Sequence, residues 1–193
     1  MSPVTTPAAK FGSLRLRGKL LLIFGVSTAL MLGAVAYGFW STNNSLNSFE
    51  TDVANSQRNT VAVVTMEATF KKQVQEWKDT LLRGKKPEAL EKYWGNFQKR
   101  EAEVRAQADK LSRNIGEPES KQLVVKFLDA HKTMGEAYRR GLEAFKNHNF
   151  DSAAGDAAVA GIDRAPTELL GQAKDRLLAN ATALSAAAAS EAD

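Results

Sequence analysis

With 193 residues, 44% of them hydrophobic, the chain is long enough to bury a core in one domain of ordinary size, which excludes disorder throughout. The net charge of +4 does not point to nucleic acid: Lys10, Arg15, Arg17 and Lys19 are the only charged residues before Ser41, and beyond it basic and acidic residues are equal in number. The absence of cysteine excludes disulfide staples, thiolate metal sites and cysteine nucleophiles.

The first element is an apolar run from Leu20 to Trp40 that carries no charged side chain. A bilayer core about 30 Å thick needs roughly 20 apolar residues in helical form, so residues 20–40 are expected to span a membrane. The basic cluster lies before the run, and the first basic residue after it is Arg58. The positive-inside rule therefore puts residues 1–19 in the cytoplasm and everything after Trp40 outside it. Tyr37, Phe39 and Trp40 stand at the outer end, where aromatic rings favour the headgroup layer. The alternative is a cleaved secretory signal, because Ala34-Val35-Ala36 has the small-x-small pattern of a cleavage site. The length of the run and the aromatic cluster behind it favour the anchor. Either reading exports the remainder, 41–193, as one domain.

In that remainder Gly and Pro mark three breaks: Gly84-Lys85-Lys86-Pro87, Gly116-Glu117-Pro118 and Asn147-His148-Asn149-Phe150. They predict four helices, over about 41–83, 87–115, 118–147 and 151–190. At the first two breaks, Gly is expected to end a helix in the left-handed conformation and Pro to begin the next, where its missing N–H is harmless. Asn149 or Asp151 is expected to cap the last helix. Leu90, Trp94, Phe97, Glu101, Val104, Ala108, Leu111 and Ile115 alternate spacings of four and three, the pattern of a bundle seam. Val63, Met66, Phe70, Val74, Trp77 and Leu81 form a related stripe, as do Val124, Leu128, His131, Gly135, Tyr138, Leu142 and Phe145. In the last helix Ile162, Leu169, Leu177 and Leu184 recur at or near multiples of seven, separated by much Ala, a narrow face suited to close contact. The fold class is all-α: a transmembrane helix followed by an up-down-up-down antiparallel four-helix bundle. The first and last helices are the longer pair, so they are expected to project from the same end and return the chain to the membrane. Matching heights through the turns groups Glu101, His131, Lys71 and Glu168 in one layer. A hydrogen bond between Glu101 and His131 is expected there as a polar layer that fixes register. Paired Glu-x-x-His motifs of di-iron bundles are missing, so no metal site is expected. Trp77 and Trp94 are read as packing residues.

The stretches Phe70-Lys71-Lys72-Gln73-Val74-Gln75-Glu76-Trp77-Lys78 with Leu81-Leu82-Arg83-Gly84, then Leu90-Glu91-Lys92-Tyr93-Trp94, and the turn Asn149-Phe150-Asp151-Ser152-Ala153-Ala154 give the chain its resemblance to a known family. It resembles the amino-terminal, ligand-binding region of methyl-accepting chemotaxis proteins of the four-helix-bundle type, along essentially its whole length. The resemblance implies a bacterial inner-membrane chemoreceptor with a periplasmic sensor bundle. It also implies a homodimer in which ligand binds far from the membrane and shifts the last helix relative to the first. A second span, a HAMP linker and a cytoplasmic signalling hairpin would follow, so a chain ending at Asp193 is expected to be a truncated receptor or a stand-alone remnant. The ligand site implied lies on the distal parts of the first and last helices. Lys71, Gln75 and Lys78 share one side by their spacings of four and three, Lys72 is adjacent, and Arg164 and Thr167 lie at similar height on the last helix. Such cations would favour a carboxylate, an organic acid or amino acid, since charge-assisted contacts are the strong ones. A periplasmic binding protein is the other partner considered.

An enzyme is not expected: there is no nucleophile elbow, phosphate loop or paired metal motif, and only two histidines. No cofactor is expected either. The competing functions are the ectodomain of a sensor kinase or cyclic-nucleotide synthase, which would differ in output alone, and a tethered structural coiled coil of the envelope, which would bind no small molecule.

Overall fold

A computed structural model describes residues 16–192, apart from the side chains of 44–50 and 191–192. The basic start of the chain, Lys10 and Arg15, lies outside the described residues. Five helices are present among them and no strand: α1 (Leu16–Arg83), α2 (Pro87–Asn114), α3 (Pro118–Asn147), α4 (Ser152–Ala157) and α5 (Arg164–Ala192). The chain divides into two compact units, Met1–Ser48 and Phe49–Asp193.

In the first unit, Leu16–Asn43 of α1 is a 28-residue helical stretch of mean hydropathy 2.1 with none of its apolar window buried. Leu21, Phe24, Leu30, Met31 and Phe39 are each at least 70% exposed. A helix satisfies its own backbone hydrogen bonds, so such a stretch is long and apolar enough to cross a bilayer. It fits a membrane protein.

In the second unit the four long helices close a ring, each neighbour antiparallel to the next. Asn96 of α2 donates to Glu76 of α1 at 3.2 Å, and Asn59 of α1 reaches the Asn114 carbonyl at the other end of α2. Glu101 of α2 holds Arg139 of α3, Glu117 beside α3 holds Arg176 of α5, and Lys174 of α5 returns to Glu67 of α1 at 2.9 Å. Inside lie Val63, Met66, Phe70, Trp77 and Leu81 of α1, the α2 seam from Phe97 through Val104, Ala108 and Leu111, and Val124, Phe127, Met134, Tyr138 and Phe145 of α3. Burying each large side chain contributes about 1.5–3 kcal/mol, and the aromatic contacts bridge the ring's diagonal, with Trp77 and Tyr138 centred 5.0 Å apart and Phe70 and Phe127 5.8 Å apart.

The last stretch is not one helix over 151–190. It breaks into α4 and α5 because Gly161 takes a left-handed φ of 75° and Pro166 cannot accept an interior position. Pro166 falls in the first turn of α5, where its missing N–H is one that has no partner anyway. The short α4 and the turn after it pack on α3 through two glycines: a Cβ on Gly141 would lie 2.6 Å from Val159 of that turn, and one on Gly155 of α4 would lie 3.0 Å from the Cβ of Phe145. The hydrophobic face of α5 also shifts, to Leu170, Ala173 and Leu177, with Leu169 only partly buried and Leu184 at the margin.

At the first two breaks the expectation for glycine fails. The only glycine with positive φ among the described residues is Gly161. Gly84 is there for its size, since a Cβ would press on the Thr80 carbonyl and on Leu90 and Phe145. At the second break Ile115, in an extended conformation (φ −73°, ψ 120°), ends α2. Pro87 and Pro118 do start their helices. The left-handed turn sits instead at Asn149 and Phe150 (φ 59° and 62°), and Asp151 caps α4 by accepting from the Ala153 N–H at 3.0 Å. Glu117 caps α3, accepting from the Glu119 and Ser120 amides at 2.9 and 2.7 Å. Burial works against its ionisation, and hydrogen bonds from Ser120, Glu119 and Arg176 outweigh it and hold its pKa down to about 2.

Candidate functional site

Helical spacing puts Glu67, Lys71, Val74, Gln75 and Lys78 along one face of α1. Opposite them the break at Gly161 brings Asp163, just before α5, and Thr167 and Leu170 in its first turns. Together these residues line a cleft of about 230 Å³ between α1 and α5, with Phe70, Val74 and Leu170 as its apolar floor. Four of the six residues expected from the sequence therefore meet in one cavity: Lys71, Gln75, Lys78 and Thr167. Lys72 and Arg164 are exposed and do not line it. Lys72 follows Lys71 about 100° further round the helix. The Arg164 side chain lies back along Gly161, its Nε 3.4 Å from where a Cβ there would sit.

The polar groups of the cleft divide by engagement. Lys71 is held by Glu67 at 2.8 Å, and the same carboxylate takes Lys174 of α5 at 2.9 Å. The hydrogen bond from Lys174, then that from Lys71, holds the Glu67 carboxyl below its ordinary pKa. The Thr167 hydroxyl donates to the Asp163 carbonyl at 2.6 Å, which leaves its oxygen free to accept. The side chains of Lys78, Gln75 and Asp163 make no hydrogen bond or ion pair among the described residues, although the Asp163 charge is felt by Tyr138. The cleft thus offers one uncommitted ammonium, one amide and one carboxylate above an apolar floor. Glu67 and Asp163 were not anticipated, although Glu67 precedes Lys71 by one helical turn and the Gly161 and Pro166 punctuation marks Asp163 as a helix start.

The layer of Glu101, His131, Lys71 and Glu168 does not assemble. His131, 3% exposed, meets Gln73 of α1 across the core, Nε2 to Oε1 at 2.7 Å, and stacks on Phe127 at 5.5 Å. Burial pushes its pKa down to about 4, against the pull of Glu101 and with a smaller push from Arg105, so the ring is neutral at pH 7. Glu101 turns outward over Gly135, where a Cβ would collide with its carboxylate, and grips Arg139 with two bonds of 2.9 and 2.6 Å. Glu101 and His131 border one groove of about 500 Å³ between α2 and α3 without bonding each other. Glu168 accepts from Gln172 on its own helix. No group of three or more His, Cys, Asp or Glu side chains among the described residues is arranged to hold a metal. Trp77 lies in the core against Tyr138, and Trp94 stacks on Phe97 at 4.8 Å.

No family model matches the chain, and no solved structure matches it. It is similar to the methyl-accepting chemotaxis protein CtpH of Pseudomonas aeruginosa, with 36% identity over 164 residues, 84% of this chain. Over this span the chain is a relative of the methyl-accepting chemotaxis proteins. The shared part amounts to 28% of the length of that chemotaxis protein. Among the described residues every element is helical and one stretch is apolar and long enough to cross a membrane, which accords with that relationship. The α1–α5 cleft combines an apolar floor with uncommitted polar groups.

Proposed function

We propose that the chain is the sensory region of a bacterial chemoreceptor, a transducer rather than an enzyme. In this reading the apolar part of α1 anchors it in the inner membrane, residues 1–19 are cytoplasmic and the bundle is periplasmic. A small anionic or zwitterionic molecule, an organic acid or amino acid, binds the cleft between α1 and α5. Its carboxylate meets Lys78, with Gln75 and Thr167 as further partners, and binding displaces α5 relative to α1 to pass the signal inward. The observation that carries this reading is the uncommitted Lys78 ammonium at the edge of a cleft whose two walls are the first and last helices. Lys71 is available too, at the cost of its bond to Glu67. The kinship with a chemotaxis protein supports the output.

A homodimer belongs to the same proposal. On the outer face of α1, Val61 is 66% and Val64 47% exposed, and Ala68 continues the stripe, so a second copy has an apolar face to meet. A docked periplasmic binding protein is the reading to turn to if no metabolite binds. A kinase or cyclase output would share this ectodomain, and a structural coiled coil would bind nothing.

The test is a thermal-shift screen of the full chain in detergent micelles against amino acids, organic and aromatic acids and inorganic anions. A ligand at a hundred times its dissociation constant adds about 2.7 kcal/mol. A screen in which no compound moves the transition of a folded sample contradicts direct sensing.

A further inference from the structure

We propose a second binding site, for a neutral polyhydroxylated molecule such as a sugar or polyol, at the opposite end of the bundle from the α1–α2 turn. There α1, the α2–α3 turn and α5 border an open-sided cavity of about 320 Å³. At roughly 30 Å³ per water molecule, that is room for about ten waters or one small organic molecule.

The lining selects the chemistry. Asn55 and Asn59 enter from α1 and Asn180 from α5, so the uncharged polar groups are amides, and the Asn55 oxygen accepts from Arg58 at 3.3 Å. Ser56 is only 5% exposed, and its hydroxyl oxygen has no hydrogen-bond partner. That oxygen has almost no accessible surface, so it lies behind the cavity wall and the amide side chains are the groups a ligand meets. Asn59, 8% exposed, uses its amide N–H on the Asn114 carbonyl at a long 3.4 Å, and its own oxygen is uncommitted. Asn180 makes no bond among the described residues. Each free amide group both donates and accepts, as alternating hydroxyls require. No basic residue lines the cavity itself, and the two arginines nearest it are engaged, Arg58 with Asn55 and Arg176 with Glu117. Of its two acids, Glu117 is consumed by the α3 amides and Arg176, which leaves the exposed Asp52 to accept from ligand hydroxyls. Ile115, Leu177 and Leu184 supply the apolar wall against which the C–H faces of a sugar ring pack.

A molecule held there touches both α1 and α5, so it would pin the two helices at that height. This site is independent of the cleft at Lys78. It uses other residues and favours an uncharged ligand.

The test is saturation-transfer NMR on the full chain in phospholipid nanodiscs, which carry no sugar headgroups. The probes are glucose, galactose, ribose, inositol and glycerol, with acetate and tetramethylammonium for the anionic and cationic classes. Saturation transfer to at least one sugar or polyol is expected. It should fall at least fivefold in Asn180→Ala; circular dichroism checks that the variant is folded. Transfer to no sugar or polyol, transfer unchanged in a folded Asn180→Ala, or transfer to acetate or tetramethylammonium alone overturns the proposal.

Discussion

Acid should weaken the bundle through His131 in a way that can be isolated. The folded ring has a pKa of about 4 against an ordinary 6.5, because it is buried between Phe70 and Phe127 with Gln73 as its partner. As pH falls from 6.5 towards 4, the unfolded chain takes up a proton that the folded chain refuses. Stability is therefore intact at neutral pH and lost across that window, with the loss complete just below the folded pKa. A gap of two to three units at 1.36 kcal/mol per unit gives about 3 kcal/mol in full, most of it by pH 4.5. The matching variant is His131→Gln, which keeps a hydrogen-bonding group facing Gln73 and cannot titrate. Urea unfolding of the full chain, followed by tryptophan fluorescence at pH 7 and pH 4.5, reads the difference. Carboxylates contribute to both proteins alike. The wild type should lose about 2–3 kcal/mol more than His131→Gln, a relative midpoint shift of roughly 1–2 M urea. Equal losses in the two proteins would refute the buried, neutral histidine.

Gly135→Ala should destabilise by about 1–3 kcal/mol, because the added methyl meets the Glu101 carboxylate and breaks its grip on Arg139; the urea midpoint at pH 7 checks this, and Ala at the exposed Gly95, with open space around it, should do no harm. Gly161→Ala should cost about 1–2 kcal/mol through its φ of 75°, read in the same way. Glu117→Ala removes the α3 cap and one tie to Arg176 and should cost about 1–2 kcal/mol at pH 7. Since the Glu117 pKa is depressed to about 2, that difference should persist at pH 5 and shrink only as pH falls through 4 towards 2.

The α2 seam was legible because Pro87 and the Gly116 break bound it and its apolar residues keep the three-four spacing from Phe97 to Leu111. The last helix was legible only in part: its Ala-rich run has too weak a stripe to fix a register, and Gly161 with Pro166 was read through rather than as a stop and a start. Glu168 misses His131 because it lies on the exposed face of α5, where it bonds Gln172. Glu101 shows a different limit. Its seam position fixed the direction of its Cβ, but a long side chain can leave the seam, and Gly135 with Arg139 made leaving favourable. For the cleft, the spacing of Lys71, Gln75 and Lys78 fixed their common face on α1, whereas Asp163 and Arg164 depended on where α5 begins. The polar pairing of Gln73 with His131 links positions 58 residues apart, and nothing local in the sequence marks it.

The central claim, that the α1–α5 cleft takes a small carboxylate through Lys78, is tested most directly by calorimetric titration of the screen's strongest carboxylate hit. The titration compares the full wild-type chain with Lys78→Ala and with Lys72→Ala, which removes a neighbouring cation outside the cleft. The account predicts at least a tenfold weaker affinity in Lys78→Ala, as loss of a charge-assisted bond of about 1.5–3 kcal/mol requires, and no change in Lys72→Ala. Equal affinities in all three proteins, or a loss confined to Lys72→Ala, would contradict it.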